Sequence, residues 1–262
     1  MELGLKNKSV IVMASSSGLG KAAALEFCRE GANVMLFSPF EEELKTAQKE
    51  IKEVTGKEPL YTVGDITKYD DIKKVVKNTI DAYGTVYALV NNTAGPPAGT
   101  FDAFDDEAWQ KAYELCLLSY IRSIREVIPY MRRNGGGRIV NYTSSSVRQV
   151  LDNLILSNTF RMGVVGLSKT MSQELGKDNI LINVMGPGRM GTARIEYLDK
   201  IRAEKAGVTV DEVKKNTIKN IPLGRYGIPA EYGRVTAFLC SEANTYITGQ
   251  IILVDGGMVK AY

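Results

Sequence analysis

Two hydrophobic patterns alternate along the chain. Short, mostly apolar runs at 9–13, 33–37, 60–63, 86–90, 138–142, 180–184 and 251–254 predict strands. Between them, apolar residues recur every three or four positions, which predicts helices over 18–30, 41–54, 68–83, 105–133 and about 152–175. Leu44, Ala47, Ile51 and Val54 mark one such face, and Ile72, Val75, Val76, Thr79 and Ile80 another. Strands without polar alternation belong to sheets covered on both faces. Strand–helix alternation implies right-handed crossovers and a parallel sheet, so the expected fold is a doubly wound α/β domain. No repeat or linker interrupts the pattern, and 1–262 is read as one domain. The least regular stretch, 186–227, is rich in Gly, Pro and charge and is expected to form a substrate lid.

Composition narrows the chemistry. The 262 residues carry 33 Lys+Arg against 30 Asp+Glu, a net charge of +3, which gives no electrostatic case for nucleic acid or membrane binding. There is no histidine, which removes His-based triads, His general bases and His-ligated zinc, and no metal site is expected. Three distant cysteines, Cys28, Cys116 and Cys240, suggest idle thiols in a reducing compartment rather than a disulfide framework. The apolar run at 10–14 is too short for a signal core or a membrane span, so a soluble cytoplasmic protein is expected.

The first strand runs into Ser15-Ser16-Ser17-Gly18-Leu19-Gly20 and then a helix. Small residues there let backbone approach a pyrophosphate, and the helix start offers free N–H groups. On this loop alone, a plain strand-to-helix turn reads equally well. Further motifs follow in order: Gly64-Asp65-Ile66, Asn91-Asn92-Thr93-Ala94, Gly137 to Asn141, Asn183 to Gly188 with Pro187-Gly188, and Thr248-Gly249 through Asp255-Gly256-Gly257. Together they resemble the short-chain dehydrogenase/reductase family over essentially the whole chain, and most of all its β-ketoacyl-[acyl carrier protein] reductase branch.

The resemblance implies a Rossmann-type sheet of about seven parallel strands that binds NAD(H) or NADP(H). Ser15, Ser17, Gly18, Leu19 and Gly20 would cradle the pyrophosphate, Asp65 and Ile66 would flank the adenine, and Asn91 would lie near the adenosine ribose. Pro187, Gly188 and Thr192 would meet the nicotinamide end. Asp65 also reads as a cap for the following helix. The chain departs from the family at Met13-Ala14, where Thr-Gly is usual, and at Ala94, where Gly is usual. After the second strand, Phe37-Ser38-Pro39-Phe40 supplies neither the carboxylate that marks NAD nor the Arg that marks NADP. Ser38 can contact a phosphate without charge. NADP is favoured because nothing there repels a 2′-phosphate, with NAD as the alternative.

The family's chemistry uses a Tyr acid/base, a Lys four residues later, a Ser thirteen residues before the Tyr, and an Asn in the long preceding helix. Register through 163–167 places these roles at Ser157, Arg161, Ser144 and Cys116, so one of four is retained. No Tyr lies between Tyr142 and Tyr197, and no Lys between Lys111 and Lys169, so no gap restores the set. A tyrosine titrates near about 10 and can be drawn down by a neighbouring cation, whereas a serine needs a base and Arg stays protonated to roughly 12.5–13.8. Ser157 and Arg161 share a helix face, so Arg161 could still hold a ribose.

The favoured reading is an oxidoreductase acting on a carbonyl or alcohol substrate with non-standard acid–base residues. Arg161 or Arg148 would polarise the carbonyl, and water or Tyr142 would supply the proton. The alternative is a nucleotide-binding pseudoenzyme that senses or scaffolds, and a vestigial pocket is the third. Arg148, Arg161 and Arg189 together hint at an anionic substrate. The family implies a homotetramer, with a homodimer as the alternative, through the helices at 105–133 and 152–175 and the last strand.

Overall fold

Successive residues of the first strand face opposite cores. In the computed structural model, which describes residues 2–261, Val10 and Val12 of β1 (Ser9–Met13) join one apolar cluster while Ile11 and Met13 join the other. This period of two is what a strand buried on both faces requires. The remaining strands are β2 (Asn33–Ser38), β3 (Leu60–Val63), β4 (Ala88–Asn91), β5 (Gly137–Tyr142), β6 (Ile180–Pro187) and β7 (Ile251–Val254). They form one parallel sheet in the order β3-β2-β1-β4-β5-β6-β7.

Helices cover both faces. On one side, α1 (Gly18–Arg29) and α2 (Glu41–Thr55) pack with α9 (Pro229–Leu239) through Ala24, Phe27, Leu44, Ile51, Tyr232 and Leu239. On the other, α3 (Tyr69–Tyr83), α5 (Ser119–Arg133) and α6 (Ile155–Leu175) contribute Ile72, Val76, Ile124, Val127 and Leu175. The sheet pattern and the α/β class agree with the expectation from sequence.

Four details differ from it. The helix expected over 105–133 is α4 (Asp106–Tyr113), a π-helical turn over Glu114–Leu118, and then α5. In that turn the Ser119 N–H reaches back to the Glu114 carbonyl. The helix expected from about 152 begins at Ile155, because Asn153 sits at a φ of 58° and Gly99 pairs with Leu154. Two helices, α7 (Ala193–Ala206) and α8 (Val210–Ile218), occupy the irregular segment. The sequence pattern did not predict α9. Tyr232, Gly233, Thr236, Ala237 and Leu239 are all buried there, so no polar stripe marks the helix.

The order reverses at β1, which pairs with β2 on one side and β4 on the other. In open α/β sheets, ligands bind outside the carboxyl ends of the strands at such a switch point. The carboxyl ends of β1, β2, β4, β5 and β6 carry the residues described next.

Candidate active site

The loop after β1 is held by its own side chains. Ser15 Oγ donates to the Val12 carbonyl at 2.7 Å and accepts from the Phe37 N–H at 2.9 Å, while the Ser15 N–H donates to the Phe37 carbonyl at 3.0 Å. The Ser15 N–H as donor and its Oγ as acceptor therefore join the loop to β2, while its O–H closes on β1. The expectation that Ser15 cradles a phosphate is corrected to a role in building the loop. Ser17 and Gly18 are exposed, Gly18 has a φ of 57°, and the first turn of α1 has no acidic residue. Its free N–H groups and positive dipole end stand open to an anion. Leu19 is half-buried. Gly20 is required for packing, because a β-carbon there would lie 2.3 Å from the Ala14 carbonyl oxygen. That same oxygen accepts from Asn92 Nδ2 at 3.2 Å. Ala14 itself adopts a φ of 47°, a left-handed conformation that costs a non-glycine residue about 1–2 kcal/mol.

At the adenosine edge, Ser38 Oγ donates to Ser16 Oγ and Ser16 Oγ donates to Glu43 Oε2, each at 3.0 Å. Asp65 Oδ1 accepts from the Thr67 N–H at 2.9 Å and the Thr67 hydroxyl at 2.8 Å, so Asp65 organises the turn that precedes α3. Ile66 is buried in the core cluster that contains Phe37. Asn91 is fully buried: its Nδ2 donates to Asn141 Oδ1 at 2.8 Å, and its Oδ1 accepts from Ser123 at 2.6 Å. Its amide ties β4 to β5 and α5, so that only its backbone is left to lie near a ribose.

At the opposite end, Gly188 follows Pro187 where a β-carbon would meet Asp255 Cα at 2.5 Å. Thr192 caps α7, and its methyl would lie 3.9 Å from a β-carbon placed on Gly18. The start of the 186–227 segment thus stands opposite the phosphate loop. Arg194 reaches from α7 to the Pro96 carbonyl at 3.4 Å. Arg189 lies 3.6 Å from the fully buried Asp199, which also accepts from the Tyr226 hydroxyl at 2.9 Å. Arg189 is therefore paired, whereas Arg148 is exposed and makes no side-chain hydrogen bond among the described residues.

Arg161 is only 5% exposed and has no carboxylate partner among the described residues. Its Nη1 donates at 3.0 Å to the Tyr142 carbonyl, which also accepts from the Tyr120 hydroxyl at 2.8 Å. Burial opposes the guanidinium charge, and the upward move of its pKa comes from Tyr120 and Cys116 only once these are ionised in alkali. Burial pushes the Cys116 thiol and the Tyr120 phenol up, and Arg161 only partly counters this. At neutral pH the cluster therefore holds one cation and no anion. Thr93 Oγ1 is buried beside the Cys116 thiol and the Tyr120 hydroxyl.

Ser157, one turn before Arg161, is buried, and its hydroxyl makes no hydrogen bond among the described residues. Ser144 Oγ accepts from the Ser146 N–H at 3.1 Å, which leaves its O–H free to donate. Tyr142 does not fit the expectation of a proton source. Its hydroxyl is 2.6 Å from Thr236 Oγ1, its ring packs edge-on against Tyr232, and burial drives its pKa far up. Tyr120, Thr93 and Glu43 are the site residues that sequence reasoning missed. Tyr120 follows Cys116 by four residues, the one signal that places both on a helix face.

A family model described as enoyl-(acyl carrier protein) reductase matches residues 13–259. The chain is 34% identical over 257 residues to a 3-oxoacyl-[acyl-carrier-protein] reductase of Thermotoga maritima, covering 97% of this chain and 99% of that protein. The chain belongs to the short-chain dehydrogenase/reductase family. Among solved structures of similar proteins, L-sorbose reductase of Gluconobacter frateurii, complexed with NADPH and L-sorbose, superposes with a TM-score of 0.95 at 31% identity over 100% of both chains. A 7α-hydroxysteroid dehydrogenase complexed with NADH superposes with a TM-score of 0.89 at 28% identity, covering 99% of this chain and 97% of that one. As a member of the short-chain dehydrogenase/reductase family, the chain is an NAD(P)-dependent oxidoreductase of carbonyl or alcohol groups.

Among the described residues, no helix is long and apolar enough to cross a membrane, and no group of three or more acidic or cysteine side chains could hold a metal.

Proposed function

We propose that the chain binds a nicotinamide dinucleotide across the carboxyl ends of β1, β4 and β6 and reduces a small carbonyl compound, or oxidises the alcohol, without a tyrosine acid. The dinucleotide's part is to give or accept a hydride. Ser17, Gly18, Leu19 and Gly20 hold the pyrophosphate with backbone N–H groups, and Asp65, Ile66 and the Asn91 backbone border the adenosine. Pro187, Gly188 and Thr192 border the nicotinamide end, with 186–227 as the lid. Open N–H groups at α1, whose first turn carries no acidic residue, support this fit.

The observation that carries the reading is the buried guanidinium of Arg161, without a carboxylate partner among the described residues, one helical turn after Ser157 and bonded to the Tyr142 carbonyl two residues before Ser144. The three side chains are donors that stabilise developing negative charge on oxygen. None of them is an acid near neutrality, so the proton comes from water. Cys116 fills the fourth family position as a neutral thiol that packs against Arg161. Ser144 orients the carbonyl, and Arg161 holds the nicotinamide ribose or the oxyanion.

The test is a titration with NADH and NADPH followed by ketones and acyl thioesters, with nicotinamide absorbance as the readout. Ser157→Tyr combined with Arg161→Lys should raise carbonyl reduction by about 10²–10⁴-fold, the range for a general acid. An unchanged rate in the folded double variant would count against these assignments. Sequestration of the Tyr120 and Tyr142 phenols favours one second reading, a dinucleotide-binding sensor without turnover. Tight binding with no turnover on any substrate would select it.

We also infer assembly into a homotetramer, or a homodimer. Phe101, 68% exposed, stacks near Trp109, which meets Phe160, and Met162 is exposed close by on α6. An uncovered aromatic face of this kind marks an interface, and light scattering on the eluting protein decides its order.

A further inference from the structure

Nothing in Phe37-Ser38-Pro39-Phe40 carries a charge that repels a 2′-phosphate. The fold supplies one. Glu43 lies five residues beyond Ser38, in the first turn of α2, and its carboxylate reaches back to the phosphate loop. Ser38 and Ser16 are 2% and 8% exposed. Ser38 Oγ accepts from the Phe40 N–H at 3.3 Å and donates to Ser16 Oγ at 3.0 Å, and Ser16 Oγ donates to Glu43 Oε2 at 3.0 Å. A hydroxyl has one proton, so both donors are committed in a chain that ends on the carboxylate.

What remains of the Ser16, Ser38 and Glu43 side chains accepts hydrogen bonds and donates none. The nearby cations are engaged elsewhere: Lys21 pairs with Glu50 at 2.5 Å, and Lys45 pairs with Glu42 at 2.7 Å and Glu41 at 3.3 Å. Pro39 and Phe40, between Ser38 and α2, bring no charge. A ribose 2′-hydroxyl is a donor and matches such an edge. A phosphate monoester carries about −1.5 to −2 charges at pH 7, has only acceptor oxygens in that state and meets a carboxylate of its own sign.

We propose that Glu43, positioned by Ser16 and Ser38, makes this cleft select NAD(H) over NADP(H). The inference rests on the reading that the cleft binds a nicotinamide dinucleotide. Ser16 is the hinge of the argument, since it belongs both to the phosphate loop and to the chain that ends on Glu43.

The test is equilibrium binding on the full chain by nicotinamide fluorescence and calorimetry, with NADH and NADPH as the ligands. Adenosine 5′-monophosphate and adenosine 2′,5′-bisphosphate serve as competitors that lack the nicotinamide end. The expected result is NADH bound at least about tenfold more tightly than NADPH, with the two adenosine probes in the same order. Glu43→Gln should narrow the ratio by about tenfold, and Glu43→Lys should invert it. Glu43 is exposed, so circular dichroism should show both variants folded. Equal affinity for the two dinucleotides, tighter NADPH, or a ratio indifferent to Glu43→Gln overturns the inference and leaves the dinucleotide reading intact. Binding of neither dinucleotide overturns both.

Discussion

Replacing Arg161 by Met separates a working cation from a structural one. The guanidinium is 5% exposed and gains one hydrogen bond, 3.0 Å to the Tyr142 carbonyl. A charge-assisted bond of that kind is worth about 1.5–3 kcal/mol. Against it stands the desolvation of a buried ion, several kcal/mol even after relaxation, with no carboxylate here to offset it. The substitution does not orphan the carbonyl, because the Tyr120 hydroxyl still donates to it at 2.8 Å. Met is long, flexible and suited to filling the space. The ligand-free Arg161→Met variant should therefore be more stable than the parent by about 1–3 kcal/mol, an increase of about 2–6 °C in Tm at this chain length. It should also bind its dinucleotide at least about tenfold more weakly, the loss expected for a charge-assisted contact. Calorimetric melts with and without dinucleotide give both numbers. A variant that melts several degrees lower and binds as before would refute the reasoning and make Arg161 a structural plug.

Other outcomes follow from single contacts. Ala14→Gly releases about 1–2 kcal/mol of left-handed strain and gives back about 0.5–1 kcal/mol of chain entropy, so Tm should rise by about 1–2 °C; a lower Tm would mean the φ of 47° is unstrained. Burial pushes the Cys28 thiol up to about 12 and raises Cys116 and Cys240 as well, so native protein at pH 8 should resist iodoacetamide while unfolded protein labels at all three sites. Fast native labelling would show an open path to one of them. Arg225, with help from the Ile228 N–H, holds the Glu231 carboxyl down to about 2 from its ordinary 4.5. A depressed carboxyl stabilises the fold above its unfolded value and loses that effect as pH falls. Glu231→Gln should therefore be the less stable protein at neutral pH, with the gap closing between about pH 4.5 and about pH 2 in denaturant titrations; a gap independent of pH would refute the pairing.

Strands read plainly from the chain because burial on both faces leaves runs such as 9–13 without a polar residue after Ser9. Helix α9 escaped notice for a related reason: it is covered on several sides and shows no stripe. The site was legible as a set of positions but not as a set of free atoms. Ser15 and Asn91 sit where motif order puts them, yet their polar atoms close on neighbouring strands. Whether a side chain faces a ligand or its own sheet depends on partners dozens of residues away, which local spacing does not encode. Glu43 is the converse case. Its local position is an ordinary acidic first turn, and only the pairing of β1 with β2 brings Ser16 within its reach.

The π-helical turn at Glu114–Leu118 amounts to one amino acid more than a regular spiral would hold. An in-frame loss of a single codon there would straighten the rod. It would also rotate everything upstream by about 100° relative to Tyr120, since each residue turns an α-helix by that angle. Trp109 and Tyr113, whose rings lie 5.8 and 6.0 Å from Phe160, would swing off α6 while Arg161 kept its neighbour. The surplus residue thus sets the register in which the outer aromatic wall and the interior polar cluster meet α6 together.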